Sequence, residues 1–153
     1  MVVSKGVDRF SEATRDLGLT IIVQPESTHT AQEAADAVGA PVGAIVKSLV
    51  FRLGGEPLLV LASGPNRVNT DALADALGGL LSKADADYVK QVTGYSIGGV
   101  PPFGHPTPLR TVMDEDLLAF DQVWAAAGSQ TAVFAISPHR IREISGADVM
   151  AVT

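Results

Sequence analysis

Two neighbouring apolar runs constrain the fold more than any other feature of the sequence. Residues 46–53 and 57–62 consist mainly of apolar residues, and Gly54 and Gly55 lie between them. Apolar segments of this length joined by a glycine pair are typical of a β-hairpin. The sequence therefore predicts a hairpin in the protein core, around which the other segments must pack.

Lys47 is the single charged residue within residues 44–51 of the first run. A buried charge is costly in free energy unless another group binds it. Because side chains alternate along a strand, we expect Lys47 to share a face with Ile45, Leu49 and Phe51. Two structural explanations remain open: the lysine can protect an edge strand from aggregation, or its stem can be buried while its ammonium reaches water. Lys47 is nevertheless the first candidate for a functional residue.

The other segments predict a mixed α+β domain with short links between its elements. Apolar periodicity and capping signals indicate helices, and β-branched or apolar runs indicate strands. The expected helices cover residues 4–17, 30–39, 69–77 and 85–92, with a further turn at 41–45 and a final turn or two from Ser137. The expected strands outside the hairpin cover residues 19–23, 80–83, 109–113, 122–126, 131–136 and 149–152.

Composition indicates one domain over residues 1–153 and excludes several kinds of site. With 46% hydrophobic and 18% charged residues, the chain is expected to be compact and globular. It contains no cysteine, which excludes disulfides, thiolate metal sites and cysteine nucleophiles. A formal net charge of -6 argues against broad adhesion to DNA or RNA, but leaves open a small site for one nucleic-acid end. Without a signal peptide or a bilayer-spanning stretch, we expect a soluble cytoplasmic protein that does not bind membranes.

Three familiar kinds of catalytic motif are absent or lack the required context. Residues 94–98 match the G-x-S-x-G pattern of a serine nucleophile, but a helical pattern precedes Ser96, where a strand is required. His29, His105 and His139 lack metal-ligand spacing, so no metal site is predicted, although His29 and His105 could line a pocket. No nucleotide-binding motif occurs, and we therefore expect no cofactor.

A segment rich in glycine and proline follows the predicted helix at residues 85–92. Residues 94–104 contain four glycines and two prolines, so the segment can be neither a helix nor an ordinary strand. Such a segment either serves only as a connection or presents its backbone amides and carbonyls to a ligand.

Three motifs in chain order resemble those of the YbaK/prolyl-tRNA editing-domain family. They are residues 27–31 before a helix, the strand that carries Lys47, and residues 93–104. The resemblance extends from about Thr20 onward, with Lys47 on the near-invariant lysine of the family and Gly98 and Pro102 at the ends of its G-x-x-x-P loop. It implies a mixed, largely antiparallel sheet or a partly closed barrel surrounded by helices.

The resemblance also implies a function. Members of the family are aminoacyl-tRNA deacylases, hydrolases that cleave the ester between a wrong amino acid and its tRNA. This chain contains no synthetase core and therefore resembles the free-standing, trans-acting members. We expect it to act on proline tRNA carrying alanine, cysteine or 2-aminobutyrate, with the tRNA acceptor end and prolyl-tRNA synthetase as candidate partners. The alternative is a non-catalytic module of the same fold that binds aminoacyl-tRNA or a synthetase.

The mechanism implied by the resemblance uses no protein nucleophile. The expected catalytic residues are Lys47, Gly98 and Gly99: the loop backbone orients the ester and the attacking water, the terminal ribose hydroxyl assists, and the lysine engages polar groups of the substrate. Amides directed at a developing oxyanion can supply much of the acceleration of acyl transfer. The residues expected to bind the substrate are His29, Thr30, Ser48, Tyr95, Pro101, Pro102, Phe103 and Gly104.

Overall fold

The structure of the protein is a computed structural model that describes residues 4–25 and 28–153. Ser27, the first residue of one predicted motif, lies outside the described residues. The helices are α1 (Lys5–Ala13), α2 (Ala31–Val38), α3 (Thr70–Leu77), α4 (Ala86–Thr93) and α5 (Pro138–Ser145). The strands are β1 (Ile21–Val23), β2 (Val46–Leu53), β3 (Glu56–Ser63), β4 (Leu81–Lys83), β5 (Arg110–Asp114), β6 (Val123–Ala126), β7 (Ala132–Ile136) and β8 (Asp148–Met150).

The strands form two sheets. The predicted hairpin is confirmed as β2 and β3, which lie in the middle of a five-stranded sheet with the order β4-β2-β3-β5-β8. The β3–β5 and β5–β8 pairs are parallel, so this sheet is mixed. A separate antiparallel sheet has the order β1-β7-β6. The predicted mixed α+β class is confirmed for a single domain, but the described strands divide between two sheets and form no closed barrel.

Two hydrophobic clusters pack against the two faces of the five-stranded sheet. The larger cluster joins this sheet to the three-stranded one, with Phe134 of β7 and Leu61 of β3 both fully buried. The smaller cluster contains Phe51 of β2 and Leu73 of α3, with Leu49 packed against it. Leu49 and Phe51 alternate with residues of the larger cluster, as expected for one face of a strand. None of the described helices has the length and hydrophobicity that crossing a membrane requires.

The helix starts follow the predicted capping signals. The Oγ1 of Thr30 accepts a hydrogen bond from the backbone N–H of Glu33 at 3.1 Å, and the Oδ1 of Asn69 accepts one from the N–H of Ala72 at 3.0 Å. Such bonds satisfy backbone N–H groups that have no partner within the helix. They fix where α2 and α3 begin.

Close backbone packing holds α1 against the turn between β6 and β7. A Cβ atom added at Gly6 would lie 2.1 Å from the carbonyl oxygen of Gly128, and one added at Gly128 would lie 2.3 Å from the carbonyl oxygen of Gly6. A Cβ atom at Gly99 would lie 2.7 Å from the Cα of Ser129 in the same turn. The first helix, this turn and the glycine-proline segment are therefore packed backbone against backbone.

We predict that Gly128→Ala destabilises the protein more than Gly146→Ala. Both glycines have positive φ, +104° and +69°, so alanine at either position costs about 1 to 2 kcal/mol in backbone conformation. Nothing lies within 4 Å of a Cβ at Gly146, whereas a Cβ at Gly128 overlaps the backbone of α1 and adds roughly 2 kcal/mol. Urea unfolding followed by circular dichroism measures both free energies; equal losses would contradict the packing argument.

Candidate active site

A cleft of about 310 Å³ opens where the two sheets meet. β4 pairs only with residues 51–53 of β2, so in the described part of the chain residues 46–50 have β3 as their single strand neighbour. Just before β2, Ile45 forms an isolated parallel bridge with Trp124 of β6. The unpaired edge of β2 therefore faces the second sheet across a gap, which α2 and the segment after α4 also line.

Lys47 lines this cleft and is partly buried. Its Nζ donates a hydrogen bond to the backbone carbonyl of Asn66 at 2.5 Å. Burial lowers the pKa of Lys47 below the ordinary value for lysine; the positive charge of Arg67 also lowers it, whereas the negative charge of Asp114 raises it. The ammonium is thus held at a fixed place on the cleft wall in partly desolvated surroundings.

A buried carboxylate fixes the carbonyl that binds Lys47. Asp114 is only 1% exposed, and its Oδ2 accepts hydrogen bonds from the N–H of Ser63 at 3.0 Å and the Nδ2 of Asn66 at 2.8 Å. Its Oδ1 accepts a hydrogen bond from the N–H of Asp116 at 3.0 Å, and the Nδ2 of Asn66 also donates to Oδ2 of Asp116 at 2.7 Å. Asp114 therefore positions Lys47 through Asn66.

Gly98 lines the same cleft as Lys47, and the backbone at this position favours glycine over any other residue. Its φ is +86°, and a Cβ atom there would lie 2.5 Å from the Nε2 of Gln130. The next residue, Gly99, donates its backbone N–H to the carbonyl of Ser96 at 2.9 Å, which closes a tight turn. The backbone at Gly98 can therefore approach a ligand closely while the turn beside it is held in shape.

The rest of the glycine-proline segment braces this turn from behind. The phenol of Tyr95 donates to the carbonyl of Gly104 at 2.9 Å, and the Nε2 of His105 lies 2.8 Å from the carbonyl oxygen of Pro101. Burial raises the pKa of Tyr95 and lowers the pKa of His105, so both rings are neutral around neutral pH. Phe103 packs against other aromatic rings of the core. The segment is thus a rigid support for Gly98.

The structure brings some of the predicted site residues together and places others elsewhere. The predicted residues that line the cleft are His29, Thr30, Lys47, Ser48 and Gly98. The others lie beside or behind it: Gly99 and Tyr95 line a neighbouring cleft, and Pro101, Pro102, Phe103 and Gly104 belong to the bracing part of the segment. The catalytic role predicted for Gly99 and the substrate-binding role predicted for the other five residues stay predictions. His105, the other histidine considered for a pocket, also lies in this bracing part.

Sequence reasoning missed the part of the apolar cleft lining that α2 provides. Small residues of α2 and β6 line the cleft together with Trp124; they include Ala31, Ala34, Ala125 and Ala126. The Oγ of Ser48 is buried and has no hydrogen-bond partner among the described residues. The alanine-rich pattern of α2 was visible in the sequence, but the side of the fold that it faces was not. The missed carboxylate of Asp114 had one sequence signal, its place at the end of an apolar strand.

Comparisons with known proteins agree on one family. The sequence profile of the family described as "Aminoacyl-tRNA editing domain" matches residues 25–144. The uncharacterized protein YwhH of Bacillus subtilis is 30% identical over 120 residues, which cover 78% of this chain and 76% of YwhH. The proline–tRNA ligase of Pelotomaculum thermopropionicum is 34% identical over 111 residues, which cover 71% of this chain but only 19% of the ligase. A solved structure described as a "putative trans-editing enzyme for prolyl tRNA synthetase" is 42% identical, with a TM-score of 0.93 and 99% of both chains covered.

We predict opposite changes in the pKa of Lys47 when its two charged neighbours are neutralised. Arg67→Gln should raise this pKa because a repelling positive charge is lost, and Asp114→Asn should lower it because an attracting negative charge is lost. The ¹³C shift of Lys47 Cε followed against pH measures both changes. Arg110→Gln, an equal loss of charge at a separate surface cleft, is the control and should leave the pKa unchanged. Shifts of the same sign in the first two variants would contradict the assigned surroundings.

Proposed function

This chain belongs to the aminoacyl-tRNA editing domain family, as its motifs predicted, and on that premise we propose that it is a trans-acting aminoacyl-tRNA deacylase. Its substrate is proline tRNA carrying a small wrong amino acid. The observation that carries the proposal is the placement of Lys47 and Gly98 on one largely apolar cleft. The solved relative described as a trans-editing enzyme supports a free-standing mode of action, and the ligase relative supports proline tRNA as the substrate.

The lining of the cleft supports a small amino-acid side chain as the group recognised. Alanines and valines form much of the wall, and Trp124 closes one side. Alanine, cysteine and 2-aminobutyrate differ from each other by one methylene or one sulfur atom. An apolar pocket discriminates such differences by only about 1 to 3 kcal/mol. We therefore propose a graded preference among these three amino acids.

The proposed reaction is a direct hydrolysis. A water oxygen attacks the ester carbonyl carbon, the bond from this carbon to the ribose oxygen breaks, and the ribose oxygen takes up a proton. The products are the free amino acid and uncharged tRNA. The backbone at Gly98 orients the ester, and the ammonium of Lys47 binds its polar groups or the tRNA end, where low polarity strengthens the attraction. The terminal ribose hydroxyl assists the water.

No serine nucleophile is needed in this scheme. Ser96 is exposed and lines the neighbouring cleft, whereas Lys47 and Gly98 line the candidate active site. Ser96 also follows a helix, α4, and the residues after it form a turn. Both facts differ from the strand and helix that flank a nucleophilic serine.

The proposed function includes a partner protein and a cellular location. A chain with a net charge of -6 has no general electrostatic attraction to tRNA, so we propose prolyl-tRNA synthetase as the partner that brings the substrate. Mischarged tRNA arises where aminoacylation takes place, which favours the cytoplasm as the location.

We predict that Lys47→Met lowers kcat/KM for deacylation by at least about 100-fold, since methionine keeps the apolar stem but removes the charge directed at the reacting ester. Ser96→Ala is the control and should keep most of the activity. Release of labelled alanine from alanine-charged proline tRNA measures both. Undiminished release by the Lys47 variant would refute its role, and loss of activity in the Ser96 variant would restore the serine-hydrolase hypothesis.

We also predict how fast the unaltered protein hydrolyses proline tRNA that carries different amino acids. Proline tRNA charged with alanine, cysteine or 2-aminobutyrate should be hydrolysed at least about tenfold faster than correctly charged prolyl-tRNA, because the proline ring is bulkier than these side chains. Initial rates for each charged tRNA, with seryl-tRNA included, measure the order. Saturable binding without hydrolysis of any member of this panel would instead support the non-catalytic binding module.

A further inference from the structure

A second cleft of about 570 Å³ lies directly beside the candidate active site. Ile97, Ser129 and Gln130 line both clefts, so the two share a wall. Gly98 lines the first cleft and Gly99 lines the second. A polymer whose end lies in the candidate active site can therefore reach the second cleft by passing over this turn.

The second cleft concentrates positive charge in an acidic protein. Lys5 and Arg9 of α1 and Lys90 of α4 line it, and no carboxylate is among its described lining residues. The whole chain has 17 acidic and 11 basic residues. All three cationic residues are exposed, so their charges are available to a ligand. Such a local cluster is the electrostatic feature that phosphate groups require.

Contacts within the fold hold Arg9 and the helix that carries both Arg9 and Lys5. Lys5 and Arg9 are four residues apart on one helix and therefore project from the same face. The guanidinium of Arg9 donates a hydrogen bond to the carbonyl of Gly94, at the end of α4, and lies 5.9 Å from the centre of the Tyr95 ring. The backbone packing of Gly6 against the turn at Gly128 holds α1 in place. The cleft is consequently built before any ligand arrives.

We propose that this basic cleft binds the phosphate groups of the tRNA acceptor strand next to the terminal nucleotide. The inference rests on the proposed function, because it requires the ester of an aminoacyl-tRNA in the first cleft. The strand that carries this ester passes over the shared wall, where Ile97 is an apolar side chain that is 57% exposed and can pack against a base. Beyond it, arginine and lysine side chains bind phosphate oxygens through charge-assisted hydrogen bonds.

A different groove competes for this role. It borders the active-site cleft at Ser48, Leu49 and Ile97 and contains the positive charges of Arg67 and Lys83. Most of its other lining residues are apolar, which fits a phosphate backbone less well. The experiment below distinguishes the two routes.

The test compares two double variants that each remove two positive charges. Lys5→Gln/Lys90→Gln changes the basic cleft but keeps Arg9, which also supports α4. Lys83→Gln/Arg110→Gln is the matched control, with one charge in the competing groove and one in a separate surface cleft. The substrates are alanine-charged proline tRNA and 3′-O-alanyl-adenosine, which carries the same ester without any phosphate.

For the tRNA substrate, the first double variant should raise KM roughly tenfold without lowering kcat. The slope of log(1/KM) against log salt should become less steep by about 1.5, since each phosphate contact contributes roughly 0.7 to 0.9. Hydrolysis of alanyl-adenosine should not change. The control variant should leave KM, kcat, the salt slope and the hydrolysis of alanyl-adenosine unaltered.

Unchanged KM and salt dependence in the first double variant would overturn the proposal while leaving the deacylase function intact. An equal effect of the control variant would also overturn it, in favour of the competing groove or of general charge. If the unaltered protein hydrolyses no aminoacyl-tRNA, the proposed function fails instead. Fluorescence anisotropy with uncharged proline tRNA then tests whether the basic cleft binds the tRNA. Equal affinities of the unaltered protein and the first double variant would refute this binding.

Discussion

The arrangement of the candidate active site depends on the hydrogen bonds of the Asp114 carboxylate. An isolated charge at 1% exposure would be strongly unfavourable, but this carboxylate accepts bonds from two backbone N–H groups and from the Asn66 amide. These bonds fix the chain that follows β3, and the carbonyl of Asn66 in that chain then binds the ammonium of Lys47. The buried Asp114 thus determines where the partly desolvated ammonium of Lys47 lies on the cleft wall.

The cleft exists because β4 is much shorter than its neighbour β2. β2 (Val46–Leu53) extends well beyond the stretch that pairs with β4 (Leu81–Lys83). If β4 paired along the whole of β2, its backbone would occupy the gap in front of Lys47. Because it ends early, the second sheet can approach the open edge, as the bridge between Ile45 and Trp124 shows. The early end of β4 leaves residues 46–50 with one strand neighbour among the described residues, and it therefore provides the space of the cleft beside Lys47.

The sequence predicted the features that depend on neighbours in the chain. The hairpin, the cap at Thr30 and the exceptional position of Lys47 all follow from patterns within a few residues. The division into two sheets and the contact of Asn66 with Asp114 depend on residues far apart in sequence, for which a single chain provides no signal. The glycine-proline pattern predicted a loop at Gly98, but it did not indicate which residues of that loop face the cleft.

On the proposed function, this acidic protein acts on a polyanion, so a local attraction must outweigh the overall repulsion. At physiological ionic strength, charges more than about 8 Å apart are largely screened. The acidic residues far from the clefts would therefore repel a docked acceptor end only weakly, whereas in the proposed binding mode Lys5, Arg9 and Lys90 are close enough to attract it. The remainder of the tRNA gains little from such a surface. On the proposed function, affinity then comes from the end of the strand that carries the amino acid, and we expect the apolar cleft to reject correctly charged tRNA without competition from tight binding elsewhere.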